Sequence, residues 1–501
     1  MVKISIKSFV KLTFAVSLIP IYFQPAFADN QVSQDRYIVR FTDEDDVKLE
    51  EAHYKSKGLK VEKSFNEAFK GFVGNFTSNQ ILDLQKNSKV IYIEKDGPIH
   101  TTSYFTPAIS VPGVASWGLD RINQRLLPLD STYSYQYNGA GVTAYVIDTG
   151  INVTHNDFAG RVLTGNTQIA DGRGTVDCNG HGTHVAGTIG GSTYGVAKAV
   201  SLVPVRVLDC LGSGTFSSVI AGIDWVIANH AMGQPAVANL SLGGGLSLAV
   251  NDAIARLVAD GVVVSVAAGN SNANACNYSP SSAPNAITVG ATEKTDLRAS
   301  YSNFGTCLDV FAPGSLITSS WIGSNTATST ISGTSMASPH VAGVAALMLE
   351  KNPNATPLQI RNDLVAFATP NVVNSPGTGS PNILLATDTA GAYVAPVVTV
   401  PSTPIVNSLA SNSARTLTLQ ASTASNGGSA IKSYSIKLWL SSTAAGTLSL
   451  NKTFTLTTSA NSFTTNITGL TRGSFYAVSV IATNAVGSSI ESALSSRVQV
   501  K

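Results

Sequence analysis

Four short runs, Val142 to Ile147, Leu202 to Val207, Val237 to Leu240 and Val262 to Ala267, carry so few polar side chains that each reads as a strand covered on both faces. Helical patterns separate them. Ser217 to His230 sets Val219, Ile220, Ile223 and Ile227 on one stripe, and Asn251 to Asp260 groups Ile254, Leu257 and Val258 before stopping at Gly261. Strands buried on both sides and alternating with helices predict an α/β domain: a mostly parallel sheet flanked by helices. Sites in such sheets gather beyond the carboxyl ends of the strands, so the residues that end these runs matter most.

The chain has 501 residues, too many for one ordinary domain, and its texture changes on either side of this region. Residues 29 to 104 hold 24 Asp, Glu, Lys or Arg among 76, against 12% charged residues overall, so they read as a separate unit. In it, Tyr37 to Phe41 and Val90 to Glu94 alternate as strands do, and Val47 to Lys57 and Ser78 to Gln85 look helical, with Asn79 in the cap region. This predicts a small α+β unit over residues 29–110 and the α/β domain over 111–388. A linker rich in Val, Pro, Thr and Ser follows at 389–402. Residues 403–501 are Ser/Thr-rich, with short alternating stretches and turns such as Asn426-Gly427-Gly428, and predict a β-sandwich.

Residues 1–28 read as a secretory signal: Lys3, Lys7 and Lys11 lead an apolar stretch interrupted by Pro20 and Pro25, and Ala26-Phe27-Ala28 sets small residues where a signal peptidase cuts. No later stretch is apolar and long enough to span a bilayer. The net charge of +2, without any block of like charge, argues against nucleic acid or an anionic membrane as a partner. A secreted, extracellular chain with four cysteines, Cys178, Cys210, Cys276 and Cys307, is expected to form disulfides, and three pairings are open.

Three segments place a reactive side chain at the end of a strand or the start of a helix. Asp148 ends the run Tyr145-Val146-Ile147, where a turn or cap residue is the ordinary reading. His181 lies in Asn179-Gly180-His181-Gly182-Thr183-His184; the two histidines lack the HExxH glutamate of a zinc pair, and His184 reads as packed. Ser335 follows Gly333-Thr334 and opens an Ala/Val/Leu helix, where the free N–H groups favour developing negative charge. Together they become specific. A nucleophilic serine needs a base, histidine titrates near neutrality, and the histidine needs an acceptor that fixes its tautomer.

Those segments, in the chain order Asp, His, Ser, resemble the subtilisin-like serine proteases, particularly the proteinase K and aqualysin branch, from about Trp117 to Leu385. The resemblance implies a serine endopeptidase acting through an acyl-enzyme on polypeptide substrates, expected as a monomer. Ala267-Ala268-Gly269-Asn270 resembles that family's oxyanion segment, which gives Asn270 and the Ser335 N–H the oxyanion. Ser241-Leu242-Gly243-Gly244-Gly245 is similar to a wall of the primary specificity pocket. Leu208 to Phe216, with Gly212 and Gly214, is similar to the strand that pairs with substrate, and Gly269 completes the set. The pocket wall Ser241 to Gly245 holds no acidic side chain, so apolar or aromatic residues are expected before the cut.

The resemblance also implies the pairings Cys178–Cys210 and Cys276–Cys307. It implies structural Ca2+ at Pro284, Ala286 and Asp309, and a second site at Asp120, Gln124 and Asp130, where Asn123 replaces an acid often found there. The amino-terminal unit resembles the family's propeptide, a chaperone and transient inhibitor that the protease removes from itself, with the cut expected between about His100 and Ser116. The tail resembles a fibronectin type III module with Tyr476 as its corner tyrosine, although the tryptophan usual near Gln420 is missing. A silent adhesion protein and an esterase are the other readings open to the same residues.

Overall fold

The computed structural model describes residues 35–105, 114–387 and 399–501. Residues 1–34, with the expected signal segment, and residues 106–113 and 388–398, with most of the expected linker, lie outside them. The described chain forms two compact units, residues 35–387 in the first and 399–501 in the second.

The first unit begins with β1 (Asp35–Phe41), α1 (Val47–Ser56), β2 (Lys60–Phe65), β3 (Gly71–Phe76), α2 (Ser78–Gln85) and β4 (Val90–Lys95). The four strands form an antiparallel sheet in the order β2-β3-β1-β4. Asp46 caps α1. Thr77, rather than Asn79, caps α2 through a reciprocal pair with Gln80, because the cap residue must stay extended while its oxygen reaches back to the helix. One sheet face packs Val39, Phe41 and Phe72 with Tyr54 and Leu84 from the helices. The other puts Ile38, Phe65, Phe69 and Val73 into the core of the α/β domain.

Two further strands, β5 (Pro98–Thr101) and β6 (Tyr104–Phe105), lead into α3 (Trp117–Ile122) and the α/β domain. There follow β7 (Thr143–Asp148), β8 (Asn166–Thr167), α4 (His181–Gly190), β9 (Ser201–Arg206), β10 (Ser213–Thr215) and α5 (Phe216–Asn229). Next come β11 (Ala236–Leu240), β12 (Leu242–Gly245), α6 (Leu248–Ala259), β13 (Val263–Ala267) and β14 (Tyr278–Ser279). The domain ends with β15 (Ile287–Thr292), β16 (Val310–Pro313), β17 (Ile317–Ser320), β18 (Thr328–Ser332), α7 (Thr334–Lys351), α8 (Pro357–Phe367), β19 (Thr369–Pro370) and β20 (Ile383–Leu384).

The central sheet runs β19-β20-β16-β15-β13-β11-β7-β9-β8, parallel throughout except for β19. Alternation along β7 shows why its sequence reads as it does. Ala144 and Val146 enter the core shared with α4 and α7, while Tyr145 and Ile147 enter the one shared with α5 and α6. The chain passes from β7 to β9 on one side and returns to β11 on the other, so the topology switches beside β7. Asp148 stands at that point.

The second unit is a β-sandwich. β21 (Ile405–Ser413), β22 (Thr416–Ser422) and β25 (Ser462–Ile467) form one sheet; β24 (Ser449–Thr457), β23 (Ser433–Ser441), β26 (Phe475–Thr483) and β27 (Val498–Gln499) form the other. Leu417, Leu419, Tyr434, Ile436 and Val480 fill the core where a tryptophan was missing. Tyr476 is the corner tyrosine: its hydroxyl accepts from Thr471 N at 3.2 Å. Residues 399–402, expected in the linker, already belong to this unit, since Asn484 Nδ2 donates to Thr399 O at 2.7 Å and Ser402 N to Ser425 O at 3.0 Å. Among the described residues no helix is long and apolar enough to cross a membrane.

Candidate active site

Beyond the carboxyl end of the sheet the three reactive segments meet. Asp148 is the last residue of β7, His181 the first of α4, and Ser335 the second of α7. Gly180, before His181, has φ 106°, and a Cβ there would stand 2.4 Å from the Trp321 ring, so only glycine lets α4 start here. His181 Nδ1–H donates to Asp148 Oδ1 at 2.8 Å, with both side chains excluded from water. His184, three residues on, is packed as expected: its Nε2–H donates to Ile317 O at 3.0 Å, and burial lowers it to about 3.

Ser335 is not hydrogen-bonded to His181. Its hydroxyl donates to Ser241 O at 3.0 Å and accepts from Thr102 N at 3.1 Å, with Thr102 Oγ1 2.5 Å away. His181 Nε2 and Asn270 Nδ2 are buried without a partner. Thr102 is the reason the site is in this state, because its backbone lies across it. Thr102 O accepts from Ser335 N at 3.3 Å. A Cβ on Gly333 would stand 2.3 Å from Thr102 O and 3.1 Å from Asn270 Nδ2, so that oxygen and that amide crowd one point.

The glycine-rich segments make the cradle. β5 lies between β10 and β12 and is antiparallel to both, pairing Ile99 with Gly214 and with Gly244, His100 with Gly243, and Thr101 with Leu242; Thr101 N also donates to Gly212 O at 3.0 Å. A Cβ on Gly244 would meet Pro98 O at 2.6 Å, so the guest backbone comes closer than any side chain permits. Gly245 pairs instead with Tyr278 on β14. Next to Thr102 opens a cavity of about 130 Å³, lined by Gly243, Ala267, Ala268, Gly269, Tyr278 and Asn303 among others, none of them charged. On the far side of Thr102, β6 pairs with β18 through Tyr104 and Ser332, and the Tyr104 hydroxyl donates to Asn270 O at 3.1 Å.

Two supporting residues carried no sequence signal. Thr334 N and Oγ1 both donate to Asn270 Oδ1, at 2.9 and 2.8 Å, which turns the amide nitrogen toward the cleft. Asn303 holds the oxyanion loop, accepting from Ser271 N and Ala273 N and donating to Ala268 O at 2.8 Å. Thr334 sat in a motif read only for its glycine and serine. Asn303 meets its partners across loops, where no periodicity exists to reveal it.

The two disulfides are Cys178–Cys210 and Cys276–Cys307. The two expected calcium sets differ. Asp309 lies against Thr288, two residues past Ala286, where its Oδ2 accepts from Thr288 N at 2.8 Å, but its Oδ1 is held by Nε and Nη2 of Arg361. A guanidinium already neutralises that carboxylate, so this set does not fit a dication as assembled. Asp120, Gln124 and Asp130 do converge: Asp130 N reaches Asp120 Oδ1 at 3.4 Å and Gln124 Oε1 at 3.2 Å, and Ser131 N donates to Asp120 Oδ2 at 2.8 Å. Burial raises the Asp120 carboxyl, and the Asp130 carboxylate raises it further. Oxygen donors and two adjacent carboxylates suit a hard cation.

A buried Asp–His pair beside a serine at a helix start, with the unpartnered Asn270 amide and glycine strands that hold an extended peptide, defines a serine proteinase site. The chain belongs to the subtilase family, whose model matches residues 139–384; the peptidase inhibitor I9 model matches 24–102 and the fibronectin type III domain model 400–498. It is 55% identical over 331 residues, 66% of this chain and 78% of the relative, to an extracellular serine proteinase of a Thermus species. It is 52% identical to the alkaline serine exoprotease A of Vibrio alginolyticus, over 65% of this chain and 60% of the relative. A crystal structure of a cold adapted subtilisin-like serine proteinase superposes with a TM-score of 0.52 at 53% identity, covering 56% of this chain and 99% of that one.

Proposed function

We propose that this serine proteinase is exported as a proenzyme and cuts itself between Thr102 and Ser103. The observation that carries this reading is Thr102: its carbonyl oxygen faces the Ser335 N–H while the residues before it lie in the cleft as a strand. Once Ser335 Oγ turns to His181, it attacks the Thr102 carbonyl carbon as its proton passes to His181 Nε2. Asp148 holds the imidazole tautomer, and Ser335 N with Asn270 Nδ2 stabilises the oxyanion. The C–N bond to Ser103 then breaks as the Ser103 nitrogen takes the proton from His181, leaving an ester on Ser335 that water hydrolyses by the same relay. External polypeptides follow the same course after residues 35–102 leave; until then that unit is a transient inhibitor.

The uncharged cavity next to Thr102 suits an apolar or aromatic residue before the cut. Ile99, fully buried in one cluster with Leu208, Phe216 and Leu242, supports an apolar residue at the fourth position. A calcium ion at Asp120, Gln124 and Asp130 would brace α3 against the following loop. Export is supported by the character of residues 1–28 and by the extracellular Thermus relative.

The test is to express the full chain and its Ser335→Ala variant, then read product termini by mass spectrometry and follow casein cleavage. The expected result is a new terminus at Ser103 and casein loss with the parent chain only. Equal processing by both forms would refute the assignment.

A further inference from the structure

Five hydrogen bonds converge on a carboxylate outside the reaction path. Asp177, in the loop before α4, is 5% exposed. Its Oδ1 accepts from Thr149 Oγ1, Asn179 N and Gly180 N, each at 2.9 Å. Its Oδ2 accepts from Thr183 N at 2.9 Å and Thr183 Oγ1 at 2.6 Å. Thr149 Oγ1 in turn accepts from Gly182 N at 2.9 Å. The partners therefore include the residue after Asp148 and residues on both sides of His181. Helix and strand also touch directly: a Cβ on Gly182 would stand 2.2 Å from Gly150 O. All five partners are donors, so the site calls for an acceptor-only group; an amide in its place would set its own N–H against one of them.

We propose that Asp177 is a positioning residue for peptide hydrolysis: through Thr149 it clamps the end of β7 to the first turn of α4, and so holds the His181 imidazole in register with Asp148. This rests on the triad reading above. A helix start is otherwise free to slide by a fraction of an ångström, and an offset of about 1 Å at a reacting group can cost ~100-fold in rate. Among the described residues, the other ionisable groups around α4 include Asp148 on β7, Arg206 on β9 paired with Asp171, Asp157 near the far end of the helix, Arg161, which donates to Gly190 O at 2.6 Å, and the buried His184 and His340.

The test uses Asp177→Asn and Thr149→Val in the full chain, with Ser335→Ala as reference. Self-release of the propeptide is timed first. Then kcat and KM on a peptide anilide are measured per active site titrated with a sulfonyl fluoride, across pH. For Asp177→Asn the expected result is a kcat fall of ~100-fold with KM within about twofold, as a positioning loss should give. The acid limb of its profile should move to lower pH, because a negative charge near the imidazole is gone. Thr149→Val should lower kcat in the same sense and leave the limb in place, since no charge is removed. If kcat per titrated site stays within about twofold in both variants while only thermal stability falls, Asp177 is merely structural and the proposal fails. Should Asp177→Asn not fold, Thr149→Val decides on the same criterion. Cleavage by Ser335→Ala would overturn the triad reading and this proposal with it.

Discussion

Asn270 offers its amide nitrogen to the cleft because its oxygen is already engaged by Thr334 N and Oγ1. Removing that donor with Asn270→Ala should lower kcat by ~100- to 1000-fold and leave KM nearly unchanged, as a transition-state contact requires; steady-state kinetics on a peptide anilide check it. Two buried histidines make a different prediction. Burial lowers His184 to about 3 and His340 to about 4, so neither takes a proton in the folded state. Unfolded histidines take one below about 6.5. Their contribution to stability is therefore whole above pH 6.5 and is lost as pH falls toward 4. The melting temperature of the Ser335→Ala protein, which cannot digest itself, should drop over that window; a flat profile would contradict the assignment. The sequence named Asp148, His181, Ser335 and Asn270 because glycine-rich settings mark them. It was silent on Thr334, Asn303 and Asp177, whose roles exist only through contacts between loops.

At the scale of elements, helix starts dock the amino-terminal unit. Glu94 Oε2 accepts from Leu248 N and Ala249 N at the start of α6, and Asp96 accepts from Ser217 N and Oγ at the start of α5. Asp224 on α5 reaches the other way and accepts from the N–H groups of Asn66, Glu67 and Ala68. Carboxylates placed on free N–H groups at positive helix ends are favoured twice, by hydrogen bonding and by the dipole. Glu94→Ala should weaken the hold of the cleaved unit by about tenfold. The measurement is the lag between self-cleavage and casein activity, which should shorten; an unchanged lag would contradict the docking role. The long apolar runs were legible as strands because burial on both faces leaves a compositional mark. β5 and β6 were not, since Pro98–Thr101 becomes strand only by lying between the glycine-bearing β10 and β12, and Tyr104–Phe105 only by pairing with Ile331 and Ser332 of β18.

For the whole molecule, two disulfides tie loops together, and the proposed calcium ion would add a further brace. The disulfide pairings followed from a family resemblance and agree with the structure. Calcium at Asp309 did not, because Arg361, 52 residues away, pairs with that carboxylate and no local pattern announces it. A chelator should therefore lower the melting temperature of the Ser335→Ala protein by several degrees, on the order of 5 °C. Adding Asp120→Asn should abolish that response and Asp309→Asn should leave it intact; calorimetry with and without chelator separates the two sites. The division into a small α+β unit, an α/β domain and a β-sandwich was readable from texture alone, because three compositions meet in one chain; the proteinase, inhibitor and fibronectin type III readings came from the family resemblance. The most direct measurement of the central claim is sulfonyl fluoride labelling of the processed enzyme, read by intact mass and peptide mapping. A single adduct on Ser335, with casein cleavage lost in proportion, is the predicted result. An enzyme that loses no activity when Ser335 is labelled, or that is labelled and silenced elsewhere, would contradict it.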